Sequence, residues 1–242
     1  MKYETAVKDV VKQTHDVKSF RFPRPAELAY KPGQFLMITI KDGQAEITKH
    51  FSISSSPTET DIQFTKKLTG NKFSNALDTL QVGSWAKIDA PYGNFTFQGE
   101  YEKLAMITGG IGITPARSII KYCTDMKLNT DIALLYSNHT SEDICFKNEL
   151  DEMQSQNQKF RAVYTVTDVN HSWSGLTGRI NADMIKKEIP DYAERLFYIS
   201  GPMAMVQDMV ALIKGMGIQQ GQIKQDLFTG FPPGSSHVDV KK

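Results

Sequence analysis

Only two cysteines, Cys123 and Cys145, occur among 242 residues. An iron–sulfur cluster needs about four thiolates, so this chain alone does not carry one. The histidines, His15, His50, His139, His171 and His237, are scattered along the chain and signal no metal site. Charge of one sign is missing too. Lys and Arg total 28 against 27 for Asp and Glu, and a net charge of +1 gives no pull toward nucleic acid or an anionic membrane. No apolar run approaches the ~20 residues of a membrane span. The opening MKYETAVKDV lacks the apolar core of a signal peptide. These absences set the expectation of a cytoplasmic protein without a metal of its own. The length suffices for one large or two small domains with ample core.

The first hundred residues read as strands. Residues 3–11 alternate loosely, and 17–22 alternate cleanly. Pro23, Pro25 and the Lys31-Pro32-Gly33 turn then punctuate the chain. Strands are expected over 34–40, 51–54, 62–68 and 85–90, the last extended by 94–97 after the Pro91-Tyr92-Gly93 turn. Residues 72–80 predict a short helix with Phe73, Ala76, Leu77 and Leu80 on one face. About six short strands with one inserted helix imply a closed antiparallel barrel.

From Leu104 the texture changes. Leu104-Ala105-Met106-Ile107 reads as a buried parallel strand. It breaks at Gly109-Gly110-Ile111-Gly112, then restarts at helical spacing with Ala116, Ile119, Ile120 and Cys123. Thr114 is placed as the N-cap and Pro115 in the first turn, where its missing N–H costs nothing. Such a strand, glycine turn and helix lets backbone N–H groups approach a phosphate. Alone, the turn reads equally well as a tight turn in any α/β domain. Further strands are expected over 132–136, 161–166, 196–200 and 223–228, and helices over 143–153, 181–189 and 203–214. Repeated β-α units imply a parallel sheet with helices on both faces. The expected organisation is therefore a barrel at 1–99, a doubly wound nucleotide-binding domain at 100–231 and a loose polar tail at 232–242.

Several motifs lie in order along this layout. Pro32-Gly33-Gln34-Phe35 is similar to a P-G-Q-[FY] strand entry, and Lys49-His50-Phe51-Ser52 falls at an R-x-Y-[ST] position. Thr69-Gly70-Asn71-Lys72-Phe73-Ser74 resembles a glycine-to-serine phosphate loop. Pro91-Tyr92-Gly93-x-Phe95 matches P-x-G-x-F, and residues 109–115 match G-G-x-G-x-x-P. Ser200-Gly201-Pro202 stands at C-G-P, and Asp226-Leu227-Phe228 at E-x-F. In this combination the chain resembles the ferredoxin–NADP reductase family of flavoproteins over nearly its whole length.

The resemblance implies functional roles. Lys49 would pair with the flavin's pyrophosphate, keeping arginine's charge without its bidentate geometry. Phe51 would pack on the flavin, with His50 beside it, and Ser52 would place a hydroxyl near flavin N5. Lys72, Phe73 and Ser74 would hold a second phosphate oxygen. Gly109, Gly110, Gly112, Thr114 and Pro115 would receive the pyridine nucleotide's diphosphate. Ser200 would lie close to the nicotinamide, followed by Gly201, Pro202 and Met203, and Asp226 would sit near the reacting carbons. Ser52, Ser200 and Asp226 are the implied catalytic residues. The implied cofactor is FAD, with FMN as the alternative, and NAD(P)H is the implied reductant. His139 stands where NADPH-dependent relatives often carry arginine, so the choice between NADH and NADPH stays open. Electrons would pass to a separate acceptor: a ferredoxin, a flavodoxin, an oxygenase component or a small molecule. The rival reading is a non-catalytic nucleotide-binding subunit of a larger complex.

Overall fold

The computed structural model describes residues 1–168 and 173–228. The expected tail at 232–242, His171 and His237 lie outside the described residues. The N-terminal half comprises β1 (Lys2–Ala6), β2 (Asp9–Lys12), β3 (Val17–Pro23), β4 (Phe35–Asp42), β5 (Ala45–Ser52), β6 (Asp61–Lys67), α1 (Lys72–Asp78) and β7 (Trp85–Tyr92). Alternation in the sequence becomes an inside and an outside. Phe20, Phe22, Leu36, Ile38, Ile40, Phe64 and Ile88 fill one core, while Met37 points outward.

The strands form two antiparallel sheets, ordered β1-β7-β4-β5 and β2-β3-β6. β1 and β2 are halves of one bent strand. Val7 donates to Ser84 at 2.9 Å and Lys8 to Arg21 at 2.8 Å, so the chain changes sheets between them. On the far side a single bridge, Ile53 to Phe64, joins the end of β5 to β6. The expected six strands thus surround one core, but the hydrogen-bond ladder is not continuous around the ring.

The expected strand at 94–97 is not formed. Phe95 and Phe97 are buried in the second core, edge-on to Tyr198 at 5.0 and 6.2 Å. The carbonyl of Thr96 accepts from Tyr198 Oη at 2.7 Å and from Lys224 Nζ at 3.0 Å. Burying both rings against the other half draws the backbone off the sheet.

The C-terminal half runs β8 (Lys103–Gly109), α2 (Ile113–Asp125), β9 (Asp131–Asn138), α3 (Lys147–Gln156), β10 (Phe160–Val166), β11 (Leu176–Thr177), α4 (Ala182–Glu188), β12 (Leu196–Pro202), α5 (Met203–Gly215) and β13 (Ile223–Phe228). One parallel sheet has the order β11-β10-β9-β8-β12-β13. Ile113, Ile119, Ile120, Leu150 and Met153 of α2 and α3 cover one face. Ile185, Val206, Met209 and Ile213 of α4 and α5 cover the other. The two-residue β11 was not legible. The helix expected from residue 143 begins at Lys147, because Asp143 caps Thr140 instead and Phe146 adopts φ 61°.

The strand order reverses between β8 and β12, and ligands of such sheets lie beyond the carboxyl ends of the strands at that reversal. Gly109, ending β8, and Ser200-Gly201, ending β12, meet there. Gly112 has φ −60°, so it is glycine for space and not for conformation. A Cβ there would lie 2.4 Å from the Ser200 carbonyl oxygen and 2.5 Å from Gly201 Cα. Gly110 is the opposite case, with φ +50° and nothing within 4 Å of a Cβ.

Gly112→Ala is therefore expected to lose about 1–3 kcal/mol in urea unfolding, through overpacking against backbone that cannot yield. Gly110→Ala is expected to lose ~1–2 kcal/mol through backbone strain only. A Gly112→Ala protein with wild-type stability would show that α2 does not pack this closely on β12.

Candidate functional site

The site lies where β5, the glycine turn and the ends of β12 and β13 converge. β5 ends in Lys49-His50-Phe51-Ser52, held in register by Ile38, Met37, Leu36 and Phe35 of β4. Successive side chains point to opposite faces. Phe51 is half-buried and stacks on Phe64 at 4.9 Å, with Phe73 tilted against it at 5.6 Å. Its ring packs against the barrel core and stays partly accessible. His50 is exposed, with its ring 5.6 Å from Phe35. Lys49 is half-buried at the strand's centre.

Ser52 is buried, and its hydroxyl lies 3.5 Å from Asp226 Oδ2. These residues stand 174 positions apart. Burial raises the Asp226 carboxyl to a pKa of about 6, against the hydrogen bond from Ser52, which favours its charged form. Beside this pair a cleft of about 290 Å³ opens between barrel and sheet, lined by Gly33, Phe35, Gly93, Phe95, Lys224 and Asp226.

Ser200 is also buried, but its hydroxyl donates to the Gly112 carbonyl at 2.7 Å. It holds the glycine turn and does not extend into the cleft. Gly201 comes next with its backbone against Gly109, Pro202 caps α5, and Met203 opens that helix partly exposed. α2 starts two residues earlier than expected. A 3-10 turn at Gly110–Gly112 runs straight into it, so Gly112 is the N-cap and Thr114 is inside the first turn. The Thr114 hydroxyl returns to the Ile111 carbonyl at 3.1 Å, and Pro115 is buried beside it.

The phosphate-loop candidates are mostly engaged locally. Asn71 caps α1 by accepting from Ser74 N at 2.9 Å, and Ser74 Oγ accepts from Thr69 N at 3.1 Å. Phe73 is buried in the barrel core. The Lys72 side chain is 73% exposed, 3.4 Å from Asp42. His139 is exposed, 3.2 Å from Thr167 Oγ1 and 3.7 Å from Asp168.

Two participants escaped the sequence reading. Tyr136, fully buried on β9, donates to the Gly110 carbonyl at 2.9 Å and fixes the turn from below. Its only signal was a hydroxyl-bearing ring at the end of an otherwise aliphatic strand. Arg117 lies buried on the apolar face of α2, where one arginine among isoleucines was the signal. A third feature concerns the histidines: among the described residues, His15, Asp16 and Asp143 bring ligand atoms within 4.8 Å of one another. The Lys67 ammonium lies 3.0 Å from Asp16 and already supplies the opposing charge.

A barrel packed on a doubly wound sheet, with an aromatic shelf on one and an open glycine turn on the other, defines a two-domain nucleotide-binding protein. The family models described as "Oxidoreductase FAD-binding domain" and "Oxidoreductase NAD-binding domain" match residues 4–97 and 106–211. The chain belongs to the ferredoxin–NADP reductase-like family of FAD- and NAD(P)-binding oxidoreductases. It is 30% identical over 244 aligned positions to the glycine betaine monooxygenase reductase subunit of Chromohalobacter salexigens, covering 96% of this chain and 66% of that protein. The chain thus spans just under two thirds of that relative's length. It is 29% identical to NADH-cytochrome b5 reductase 1 of Coccidioides immitis, covering 91% of this chain and 77% of that one. The fold is similar to the flavohem-like FAD/NAD-binding domain of nitric oxide dioxygenase from Vibrio cholerae, with TM-score 0.84, 21% identity and coverage of 93% and 98%.

The cofactors are FAD and NAD(P)H. The half-covered Phe51 ring and the cleft beside Asp226 suit a flat ring system. The open space over Gly110 suits a diphosphate. No described helix is long and apolar enough to cross a membrane.

The raised Asp226 pKa ties folding stability to pH. In the folded chain the carboxyl keeps its proton up to about pH 6, whereas an unfolded Asp releases it near 3.8. Its contribution is fully present below pH 3.8 and is lost as pH rises through 6. Asp226→Asn is accordingly expected to raise the Tm of the cofactor-free protein at pH 7.5 and to leave it nearly unchanged at pH 4. Equal Tm shifts at both values would show that Asp226 titrates normally.

Proposed function

We propose that this chain transfers a hydride from NAD(P)H to FAD and passes the electrons to a separate acceptor. Residues 1–99 hold the flavin, and residues 100–231 hold the pyridine nucleotide. When bound, FAD supplies the redox chemistry, accepting two electrons and releasing them singly or together. The observation that carries the reading is the meeting of Ser52, from the barrel, with Asp226, from the sheet, beside the glycine turn.

The chain's own residues bind, orient and exclude water. Lys49 would hold the flavin's pyrophosphate, and Phe51 and His50 would hold its ring. Lys72, at the start of α1, would hold a phosphate oxygen by its side chain, while Phe73 and Ser74 shape the loop behind it. Gly109, Gly110 and Gly112 would offer backbone to the second nucleotide's diphosphate, at the start of the helix carrying Thr114 and Pro115. Gly201, Pro202 and Met203 form the opposite wall. Ser52 orients the reacting atoms, and Asp226 takes up or supplies a proton through it near pH 6. Ser200 acts through the turn it holds.

Relatives named as reductase subunits of a monooxygenase and as cytochrome b5 reductases support a protein acceptor. An oxygenase component, a ferredoxin or a flavodoxin in the cytoplasm fits best.

The test is anaerobic mixing of the FAD-loaded chain with NADH or NADPH, with bleaching of the flavin absorbance as the expected result. Ser52→Ala is expected to keep its flavin and slow bleaching ten- to a hundred-fold, about 1.4–2.8 kcal/mol of barrier. Dithionite should still bleach it. A chain that takes up no flavin would defeat the proposal, and an unslowed variant would leave Ser52 a barrel residue only.

A further inference from the structure

Arg117 of α2 is 3% exposed, and every one of its N–H donors is used. Nη1 donates to the Ser54 carbonyl at 2.9 Å and to Glu59 Oε2 at 2.6 Å. Nη2 donates to Glu59 Oε1 at 3.1 Å and to Glu149 Oε2 at 2.5 Å. Nε donates to the same Glu149 oxygen at 3.0 Å. The Phe146 ring lies 5.4 Å from the guanidinium carbon. The neighbouring Ser118 donates to the Ser55 carbonyl at 2.6 Å.

One rigid planar group therefore joins three segments: the barrel loop over 54–59, α2 and α3. Its place along the chain matters. Ser54 comes two residues after Ser52, and Arg117 five residues after Gly112. The guanidinium binds a main-chain carbonyl of the barrel, so a shift of α2 is passed to the backbone next to Ser52. Lysine has no planar fork and offers three donors against the five that Arg117 uses here.

We propose that Arg117 is a positioning residue for hydride transfer, setting the offset between the flavin edge at Ser52 and the nicotinamide delivered by the glycine turn. The proposal rests on the functional reading above, in which Ser52 and Gly110 face the two reactants. A group that only added stability would change the unfolding midpoint and leave the reaction rate of the folded protein alone. A group that sets the offset changes the rate of the chemical step while both nucleotides still bind, because alignment contributes directly to the barrier.

The experiment compares wild type, Arg117→Lys and Glu59→Gln as full-length, FAD-loaded chains. Single-turnover flavin reduction is followed over a range of NADH concentrations, with NADH deuterated at C4 as a control. Arg117→Lys is expected to lower the limiting rate at least tenfold, to change the apparent NADH Kd less than threefold and to retain a deuterium isotope effect. The conservative lysine thus fails to rescue. Glu59→Gln keeps the side chain's size and loses the charged fork, and it is expected to slow the same step at least threefold. It also serves if Arg117→Lys does not fold. A folded, FAD-loaded variant that is reduced within twofold of wild type, or one that loses only NADH affinity, overturns the proposal. A wild-type chain that NADH and NADPH both fail to bleach overturns the functional reading itself, and is told apart by the wild-type control.

Discussion

A tight backbone turn buried between strands has carbonyls that must find partners inside the protein. Here the partners come from two different strands. Tyr136 on β9 donates to Gly110, and Ser200 on β12 donates to Gly112. With those carbonyls satisfied, the turn can press against β12 so closely that no Cβ fits at Gly112. The same packing leaves the outer side, at Gly110, open. That open outer side is therefore a consequence of how the turn is held from below. Removing either hydroxyl would take one hydrogen bond from a carbonyl of the turn, at a cost of about 0.5–1.5 kcal/mol.

The seam between the two halves combines apolar packing, where Val17, Phe95 and Phe97 enter the α2–α3 core, with buried polar contacts. The barrel core and the α2–α3 core are separate clusters. They are joined by Arg117 to Glu59 and Ser54, by Ser118 to Ser55, and by Tyr198 and Lys224 to Thr96. Burial works against the charge on Arg117, but Glu59 and Glu149 override it and hold its pKa above the ordinary arginine value. Breaking such a buried pair from one side costs about 3–5 kcal/mol, whereas an apolar replacement of the whole set is often neutral. An apolar seam could slide; a forked, fully bonded guanidinium admits one arrangement. That difference suits a site built, like the Ser52–Asp226 pair, from residues of both halves.

Electrostatics at the cleft derive from the same geometry. Asp226 stands at the end of β13, paired in register with Ser200, and is half-buried by the barrel rim. Ser52 donates a hydrogen bond to its carboxylate, and desolvation prevails over it. The barrel's share in this titration near pH 6 is the Ser52 hydroxyl, which favours the charged form that burial opposes.

The sequence by itself determined the two halves, their order and the run of most elements. Period-two alternation in β3 and β4, and apolar runs followed by helical spacing from Leu104 on, are local signals that burial enforces. The glycine turn was legible as a strand end in a parallel sheet, where such sheets hold ligands, whereas the site residues on β5, β12 and β13 were legible by their resemblance to the family's motifs. Tertiary structure alone decided what those residues do. Residues 94–97 alternate like a strand, yet Phe95 and Phe97 are claimed by the other core. Ser200 is polar and well placed in sequence, yet its hydroxyl goes to Gly112. Asp226 is an ordinary acid until the barrel buries it beside Ser52. Arg117 carries no local signature of joining three segments, because its partners, at 54, 59 and 149, come within reach only when the chain has folded. Local pattern records which face a residue buries; partners distant in sequence are set by packing, and packing is not written in any one stretch of the chain.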